Sequence, residues 1–239
     1  MPLTPFVRRL SVLLIIGLLV AAAALWWVRR DQVVAARPPV YAALGASDTV
    51  GVGADDPLRE GWAPRVHAAL PAPTQFLNLG ISGATLQDVL VQQLPPAVDA
   101  QPRLVTLWGG VNDLRAGVDA QTFQRQLDEA LTQLTQSSAA GDPPTIAVLN
   151  IPDLRRLPVF GRVDQAALDA EVRTWNAAIA NSAAQHGAVL MDLYAHWPEL
   201  ATHPEYISGD GFHPSSAGYE RIAALVLDAI QPHVSSVGQ

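Results

Sequence analysis

Residues 40–51 of the chain read VYAALGASDTVG. The first five residues form an uninterrupted apolar run, and Gly45 ends it. Continuous apolar runs of this length, bounded by turn residues, are typical of strands buried on both faces of a parallel sheet. We therefore predict a buried strand over 40–44 that presents Ser47 just beyond its carboxyl end.

Four more runs of this kind occur further along the chain, each bounded by Gly, Pro, Asn or Asp. They lie at 75–79, 104–108, 145–149 and 188–191. Between and after these runs, apolar residues recur at helical spacing. The clearest stripes are Phe123, Leu127, Leu131 and Leu134; Leu168, Val172, Trp175 and Ile179; and Tyr219, Ile222, Val226 and Ile230. Strands that alternate with helices indicate an α/β fold, because parallel neighbours need crossover connections that cover both faces of the sheet.

Polar residues and glycines follow the predicted strands, and sites in such sheets gather in the loops at the carboxyl ends of the strands. Ser47 follows the first strand, Gly80 lies in NLGISG after the second, and Asn112 lies in GGVND after the third. Asp210 and His213 lie in DGFHP near the end of the chain. Singly, each residue has a structural explanation, since Gly and Asn suit turns and Ser and Asp cap helices.

Together these residues supply what acyl transfer by a serine requires. The reaction needs a hydroxyl, an imidazole to take its proton, a carboxylate to orient the imidazole, and donors for the developing oxyanion. Asp210 and His213 are three residues apart, so both can face one cavity with the imidazole directed at Ser47. Gly80 has no Cβ and allows a backbone N–H to approach closely, and the side-chain amide of Asn112 is a further donor.

The four blocks GASDTVG, NLGISG, GGVND and DGFHP resemble those of the SGNH hydrolases, also called GDSL-type lipases and esterases, and they occur in that family's order. The resemblance implies a three-layer α/β/α sandwich around a flavodoxin-like, five-stranded parallel sheet. It also implies a catalytic triad of Ser47, His213 and Asp210. The implied oxyanion hole consists of the Ser47 N–H, the Gly80 N–H and the Asn112 amide. No metal ion or organic cofactor is implied.

The expected activity is that of a serine esterase which passes through an acyl-enzyme. Two alternative activities would use the same residues. One is an acyltransferase that passes the acyl group to a sugar or lipid hydroxyl, and the other is a lysophospholipase. An inactive ligand-binding module on this fold is a further alternative. Intact Ser, Gly, Asn, Asp and His residues argue against that alternative.

One position departs from the family pattern. The family has Asp immediately before the serine, whereas this chain has Ala46 there and Asp48 after the serine. We expect Asp48 to cap the turn in place of the missing carboxylate, with Asp48 as the triad acid left as an alternative. Asp113, next to Asn112, is expected to bind loop amides.

The amino-terminal residues contain a long apolar run. Residues 10–28 contain no charged residue, Trp26 and Trp27 lie near the end of this run, and arginine pairs flank it. At 1.5 Å per residue, a helix of this length comes close to the hydrocarbon core of a bilayer, which is about 30 Å thick. We predict a membrane anchor within 1–30, with a cleaved signal segment and a buried soluble helix as alternatives.

The rest of the chain divides into a linker over 31–39, a catalytic domain over 40–234 and a tail over 235–239. A leader followed by one large domain resembles an export arrangement, so we expect the catalytic domain to be extracytoplasmic, or secreted if the signal is cleaved. The arginines on the two flanks of the apolar run are balanced, so they do not fix its orientation.

Composition excludes several classes of function. The chain has no cysteine, which rules out a thiol nucleophile and a thiolate metal site. Its 15 basic residues face 22 acidic ones, and the resulting negative charge disfavours nucleic acid as a partner. No metal-binding spacing and no protein partner are indicated. The expected partner is a small-molecule, lipid or glycan ester.

The segment 152–163 follows the fourth predicted strand and mixes apolar residues with arginines. It is either an ordinary long loop or a flap that faces the substrate. The segment is too short and too charged to enclose a fatty chain. We therefore expect a preference for esters of short acyl groups.

Overall fold

The computed structural model describes residues 19–22, 38–137 and 143–234. The chain divides into two compact units, Met1–Pro38 and Pro39–Gln239, and the description below concerns the second. In the first unit, residues 19–22 are helical. Within the described ranges, no helix is both long enough and apolar enough to cross a membrane. The predicted membrane segment, 10–28, lies outside these ranges except for 19–22, so it stays a prediction.

Five parallel strands form one sheet in the order β2-β1-β3-β4-β5. The strands are β1 (Val40–Gly45), β2 (Gln75–Asn78), β3 (Leu104–Trp108), β4 (Thr145–Leu149) and β5 (Val189–Met191). All five strands were predicted from their apolar runs, and β3 and β4 have the predicted bounds. The three strands at the centre of the order are buried almost throughout, as expected for a sheet covered on both faces.

Helices connect the strands and cover both faces of the sheet, which confirms the predicted α/β/α class. They are α1 (Ser47–Val50), α2 (Pro57–Glu60), α3 (Trp62–Ala69), α4 (Leu86–Asp88), α5 (Leu94–Asp99), α6 (Val111–Arg115), α7 (Ala120–Gln136), α8 (Gln165–Gln185), α9 (Leu193–His196) and α10 (Ser216–Val234). A π-helical turn, Val89–Gln93, joins α4 to α5. Short 3₁₀ turns lie at Leu154–Arg156, Pro158–Phe160, Trp197–Ala201 and Pro204–Tyr206.

The long helices bury the stripes predicted for them. All twelve apolar residues of the three stripes in α7, α8 and α10 are buried in one core cluster. Helix α10 packs on α3 and on β4 and β5, and α7 packs on α8. The short helix α1, by contrast, follows β1 directly at the carboxyl edge of the sheet, where the loops after β1, β2 and β3 meet.

Candidate active site

Ser47 is the first residue of α1 and is 7% exposed. The turn that presents it depends on Gly45, which has a φ of +149° and whose added Cβ would lie 2.2 Å from the Trp108 carbonyl oxygen. Only glycine fits this close approach of β1 to β3. The first N–H groups of a helix have no acceptor within the helix, so the start of α1 offers donors beside the Ser47 hydroxyl.

A hydrogen-bonded chain links Ser47 to two residues more than 160 positions away. The His213 Nε2 and Ser47 Oγ atoms are 2.9 Å apart, and His213 Nδ1 lies 2.5 Å from Asp210 Oδ2. The imidazole therefore contacts the hydroxyl with one nitrogen and the carboxylate with the other. The sequence predicted this grouping, and its geometry suits transfer of the hydroxyl proton to His213.

The loop that carries Asp210 fixes this carboxylate. Asp210 Oδ1 accepts hydrogen bonds from the Ser208 hydroxyl at 2.8 Å, from the Phe212 N–H at 2.8 Å and from the His213 N–H at 2.9 Å. Desolvation alone would raise the pKa of Asp210, but the hydrogen bonds outweigh it and hold the pKa well below its ordinary range. The carboxylate is therefore ionised at any pH at which an esterase works, and it can stabilise an imidazolium.

Asn112 shares a cavity with Ser47. This cavity has a volume of about 10 Å³ and is lined by residues 46–48, residues 108–112 and Phe212. The Asn112 amide donates to the Ala84 carbonyl at 3.0 Å, which orients the side chain. An amide carries two donor hydrogens, so a second N–H remains to bind a group next to Ser47.

Gly80, in the loop after β2, lies close to α1, the helix that begins with Ser47. An added Cβ at Gly80 would lie 2.9 Å from Thr49 Cβ and 3.0 Å from the Val50 nitrogen. The position therefore needs glycine, because the loop after β2 lies close to α1. Its N–H donates to Asn78 Oδ1 at 3.0 Å, and Asn78 Nδ2 donates to the Thr49 carbonyl at 2.8 Å. Gly80 is not among the described residues that line the cavity of Ser47 and Asn112.

Two supporting residues were not anticipated from the sequence. Asn78 joins the β2 loop to α1 as described above. Gln93, fully buried in the π-helical turn, accepts from the Gly45 N–H at 2.8 Å and donates to the Gly45 carbonyl at 2.9 Å. Gln93 thereby pairs both backbone groups of the residue that ends β1. The only sequence signal was a glutamine within an apolar helical stretch.

The departure from the family pattern places an acidic residue in the first turn of α1. Ala46 occupies the N-cap and its side chain makes no hydrogen bond, whereas the Asp48 carboxylate interacts with its own backbone N–H in the first turn. Desolvation raises the pKa of Asp48 to about 6, and the nearby His213 opposes this rise. The imidazole Nδ1 bonds to Asp210, not to Asp48. Asp113 Oδ1 accepts from the Leu86 N–H at 2.8 Å, at the first residue of α4.

The segment 152–163 forms two 3₁₀ turns against the loop of Asp210 and His213. The Phe160 and Phe212 ring centroids are 6.2 Å apart, and Leu154 and Leu157 are buried beneath the site. The segment therefore forms one wall of the site, which agrees with the substrate-facing interpretation of its position.

Hydrolases of several folds use an arrangement like that of Ser47, His213 and Asp210. Comparison with known proteins shows to which family this chain belongs. Residues 43–221 match the GDSL-like Lipase/Acylhydrolase family. The chain belongs to this family. This match confirms the family resemblance noted from the four sequence blocks. It also confirms that this GDSL-like hydrolase belongs to the class of serine ester hydrolases.

Solved structures agree with the fold of this GDSL-like hydrolase. A lipolytic protein of the G-D-S-L family from Veillonella parvula has a TM-score of 0.64 at 22% identity, covering 80% of this chain and 98% of its own. A lipase/acylhydrolase from Enterococcus faecalis has a TM-score of 0.63 at 21% identity, covering 81% and 96%. A catalytic mutant of Axe2, an acetylxylan esterase from Geobacillus stearothermophilus, has a TM-score of 0.66 at 17% identity, covering 80% and 94%. At these identities the likeness is one of fold. Curated protein sequences contain no significant match.

Proposed function

We propose that this GDSL-like hydrolase cleaves carboxylic esters of short acyl groups, with Ser47 as nucleophile, His213 as general base and acid, and Asp210 as the orienting carboxylate. The observation that carries the proposal is the continuous hydrogen-bonded chain from Ser47 Oγ through both imidazole nitrogens to Asp210. Serine is a weak nucleophile until an adjacent base takes its proton, and here the base is already in contact with the hydroxyl.

In the proposed reaction, Ser47 Oγ attacks the ester carbonyl carbon while its proton passes to His213 Nε2. The resulting imidazolium is stabilised by ionised Asp210. Collapse of the tetrahedral intermediate breaks the bond to the alcohol oxygen, which leaves with the proton from His213. A water molecule then attacks the acyl-enzyme by the same sequence, giving the free acid and the original serine.

The proposed oxyanion donors are the Ser47 N–H, the Asn112 amide and the Gly80 N–H. Asn112 is already held by the Ala84 carbonyl beside the nucleophile. Gly80 donates to Asn78 Oδ1, so its contribution requires that bond to be shared or broken when substrate binds.

We expect Asn112→Ala to lower kcat by about 10²–10³-fold, because removal of one oxyanion donor typically has this effect. KM should change little, since the donor acts mainly on the transition state. Steady-state kinetics and thermal melting of the variant check this, with Asn181→Ala on the exposed face of α8 as the control. A loss of activity that follows a large fall in melting temperature would make Asn112 a structural residue only.

Two small cavities beside the nucleophile support the preference for short acyl groups. Their volumes are about 10 Å³ and about 20 Å³, and they share Trp108 and Phe212 as lining residues. Each of these spaces holds about one water-sized group, so a longer chain would remain in water without gaining burial energy. One protein of similar fold is an acetylxylan esterase.

A series of p-nitrophenyl esters tests the proposed function. We expect kcat/KM to be highest at about two to six acyl carbons and to decline beyond about eight. Acetate, butyrate, octanoate and palmitate esters should be compared below and above their micellar concentrations. A maximum at palmitate that persists for monomeric ester would contradict the preference for short chains, and no hydrolysis of any ester would contradict the function.

We also propose that residues 1–30 hold the catalytic domain at a membrane on its extracytoplasmic side. The uncharged run 10–28 between arginine pairs supports this. Full-length chain should stay in the membrane fraction after carbonate washing. Recovery of a soluble form that lacks the first 24 or so residues would instead indicate a cleaved signal.

A further inference from the structure

The carboxyl end of β1 extends beyond its neighbour β2. Strand β2 ends at Asn78, which pairs with Ala43, so this ladder stops two residues before Gly45. The Ala43 carbonyl accepts from the Leu79 N–H at 2.8 Å, and the Gly45 carbonyl accepts from the Ile81 N–H at 3.1 Å. Alternate residues of a central strand bond to the same neighbour. Gly45 therefore presents its backbone groups to the edge along which β2 would have continued.

One hydrogen bond of that ladder is missing, and a side chain supplies it. In a β2 that continued in register, the Leu79 carbonyl would accept from the Gly45 N–H. The acceptor is instead Gln93 Oε1, at 2.8 Å, and Gln93 Nε2 donates to the Gly45 carbonyl at 2.9 Å. Gln93 is fully buried, where an unpaired backbone N–H would be destabilising. The side-chain amide thus takes the place of a peptide group of β2.

The helical segment that carries Gln93 departs from regular α-helical bonding. Gln93 is the last residue of the π-helical turn between α4 and α5, in which the Leu94 N–H donates to the Val89 carbonyl. Pro95 and Pro96 follow and have no backbone N–H, so the α-helical pattern cannot pass through this point unbroken. Val89 and Leu94, on either side of the glutamine, are buried in the core. The turn therefore directs one polar side chain into an apolar environment, at the end of β1.

The substitution of a side chain for β2 affects the Gly80 N–H, a proposed oxyanion donor. The C=O and N–H of one trans peptide group point in opposite directions. If the Leu79 carbonyl bonded to Gly45, the Gly80 N–H would point away from β1. The Gly80 N–H donates instead to Asn78 Oδ1, and the Asn78 amide donates to the Thr49 carbonyl of α1. The N–H therefore lies toward the helix that begins with the nucleophile.

From these contacts we infer that Gln93 is a positioning residue for the oxyanion hole. Its amide fixes the end of β1 two residues before Ser47, and it releases the Leu79–Gly80 peptide group from the sheet so that the Gly80 N–H can face α1. Gln93 acts through Gly45 and is not itself a catalytic residue. The inference rests on the proposed function, because it assumes that the N–H groups of Ser47 and Gly80 stabilise the oxyanion.

Gln93→Met in the full-length chain tests the inference, because it keeps the length of the side chain and removes both hydrogen bonds. The unpaired Gly45 N–H should draw the Leu79 carbonyl back to β1 and turn the Gly80 N–H away from the site. We expect kcat for p-nitrophenyl butyrate to fall about tenfold to a hundredfold, which is less than the typical effect of deleting an oxyanion donor. KM should change less than about twofold, since these donors act on the transition state.

Tyr41→Phe is the matched control for the loss of a buried hydrogen bond. Tyr41 lies in the same strand as Gly45 and is fully buried, and its hydroxyl is 3.0 Å from Thr106 Oγ1. We expect the control to lower the melting temperature about as much as Gln93→Met does, since each variant leaves one buried polar group without its partner. The kcat of the control should stay at the wild-type value.

Gln93→Glu tests whether the two hydrogen bonds themselves are needed. A protonated carboxyl group can accept from the Gly45 N–H and donate to the Gly45 carbonyl, whereas a carboxylate can only accept. Burial raises the pKa of such a carboxyl group well above its ordinary value of about 4.3. The kcat of the variant, divided by that of wild type at the same pH, should be near one at about pH 5.5 and at least tenfold lower by about pH 9. Circular dichroism at each pH checks that the variant remains folded.

Several results would overturn the inference and leave the proposed function intact. They are a kcat for folded Gln93→Met that falls no more than that of Tyr41→Phe, a rise in KM without a fall in kcat, and a kcat ratio for folded Gln93→Glu that does not change with pH. Failure of both Gln93 variants to fold would also overturn it, because a residue needed only for positioning is not required for folding. No hydrolysis of any ester by folded wild type would contradict the proposed function itself.

Discussion

Ser47→Ala is expected to lower kcat for ester hydrolysis by about 10⁴-fold or more, because loss of a serine nucleophile removes the acyl-enzyme route. The substitution deletes a single oxygen atom from a residue that is 7% exposed. That oxygen contacts His213 Nε2 at 2.9 Å, so the imidazole loses its proton donor and the ester loses its attacking group. The melting temperature should change little, since the remaining alanine fits the first turn of a helix.

Steady-state kinetics with p-nitrophenyl butyrate measure this effect. Ser82→Ala is the control, because Ser82 lies in the loop after β2 at the same edge of the sheet and is exposed. Retention of more than about a hundredth of the wild-type kcat in folded Ser47→Ala, measured on protein free of contaminating esterase, would show that another group attacks the ester.

Asp210→Asn has the second-largest expected effect, a loss of about 10³–10⁴-fold in kcat. Asp210 Oδ2 lies 2.5 Å from His213 Nδ1, where an amide NH₂ would favour the wrong imidazole tautomer and remove the charge that stabilises the imidazolium. The amide oxygen can still accept from the Phe212 and His213 N–H groups, so the loop should keep its conformation. Kinetics and melting curves together separate these two consequences.

Asp48→Asn is the informative comparison for this variant. Asp48 is the other carboxylate that interacts with His213, but it does not bond to the imidazole Nδ1. We expect its loss to lower kcat for butanoate esters far less than the loss of the Asp210 carboxylate does. The reverse order of effects would make Asp48 the triad acid.

The strands and long helices were predictable because their patterns are continuous and local. The apolar runs at 104–108 and 145–149 became β3 and β4 with the same bounds. The stripe from Tyr219 to Ile230 became the buried face of α10. In each case burial on a covered sheet or a core-facing helix selects for the apolar residues that give the signal.

Residues that act through distant partners were not predictable in this way. Gln93 bonds to Gly45 across 48 positions, and Asn78 bonds to Thr49 across 29. A single polar residue in a helix or at a strand end has many uses, and only the fold brings its partner to it.

Covalent labelling of the full-length chain with a fluorophosphonate, followed by mass spectrometry of its tryptic peptides, tests the assignment of Ser47 most directly. The peptide over 31–59 contains a single serine, Ser47, so an adduct on that serine identifies the nucleophile without reference to any substrate. We predict stoichiometric modification of this peptide at Ser47 in wild type and none in Ser47→Ala. An adduct on a different residue, or a folded wild-type chain that is not labelled, would contradict Ser47 as the nucleophile.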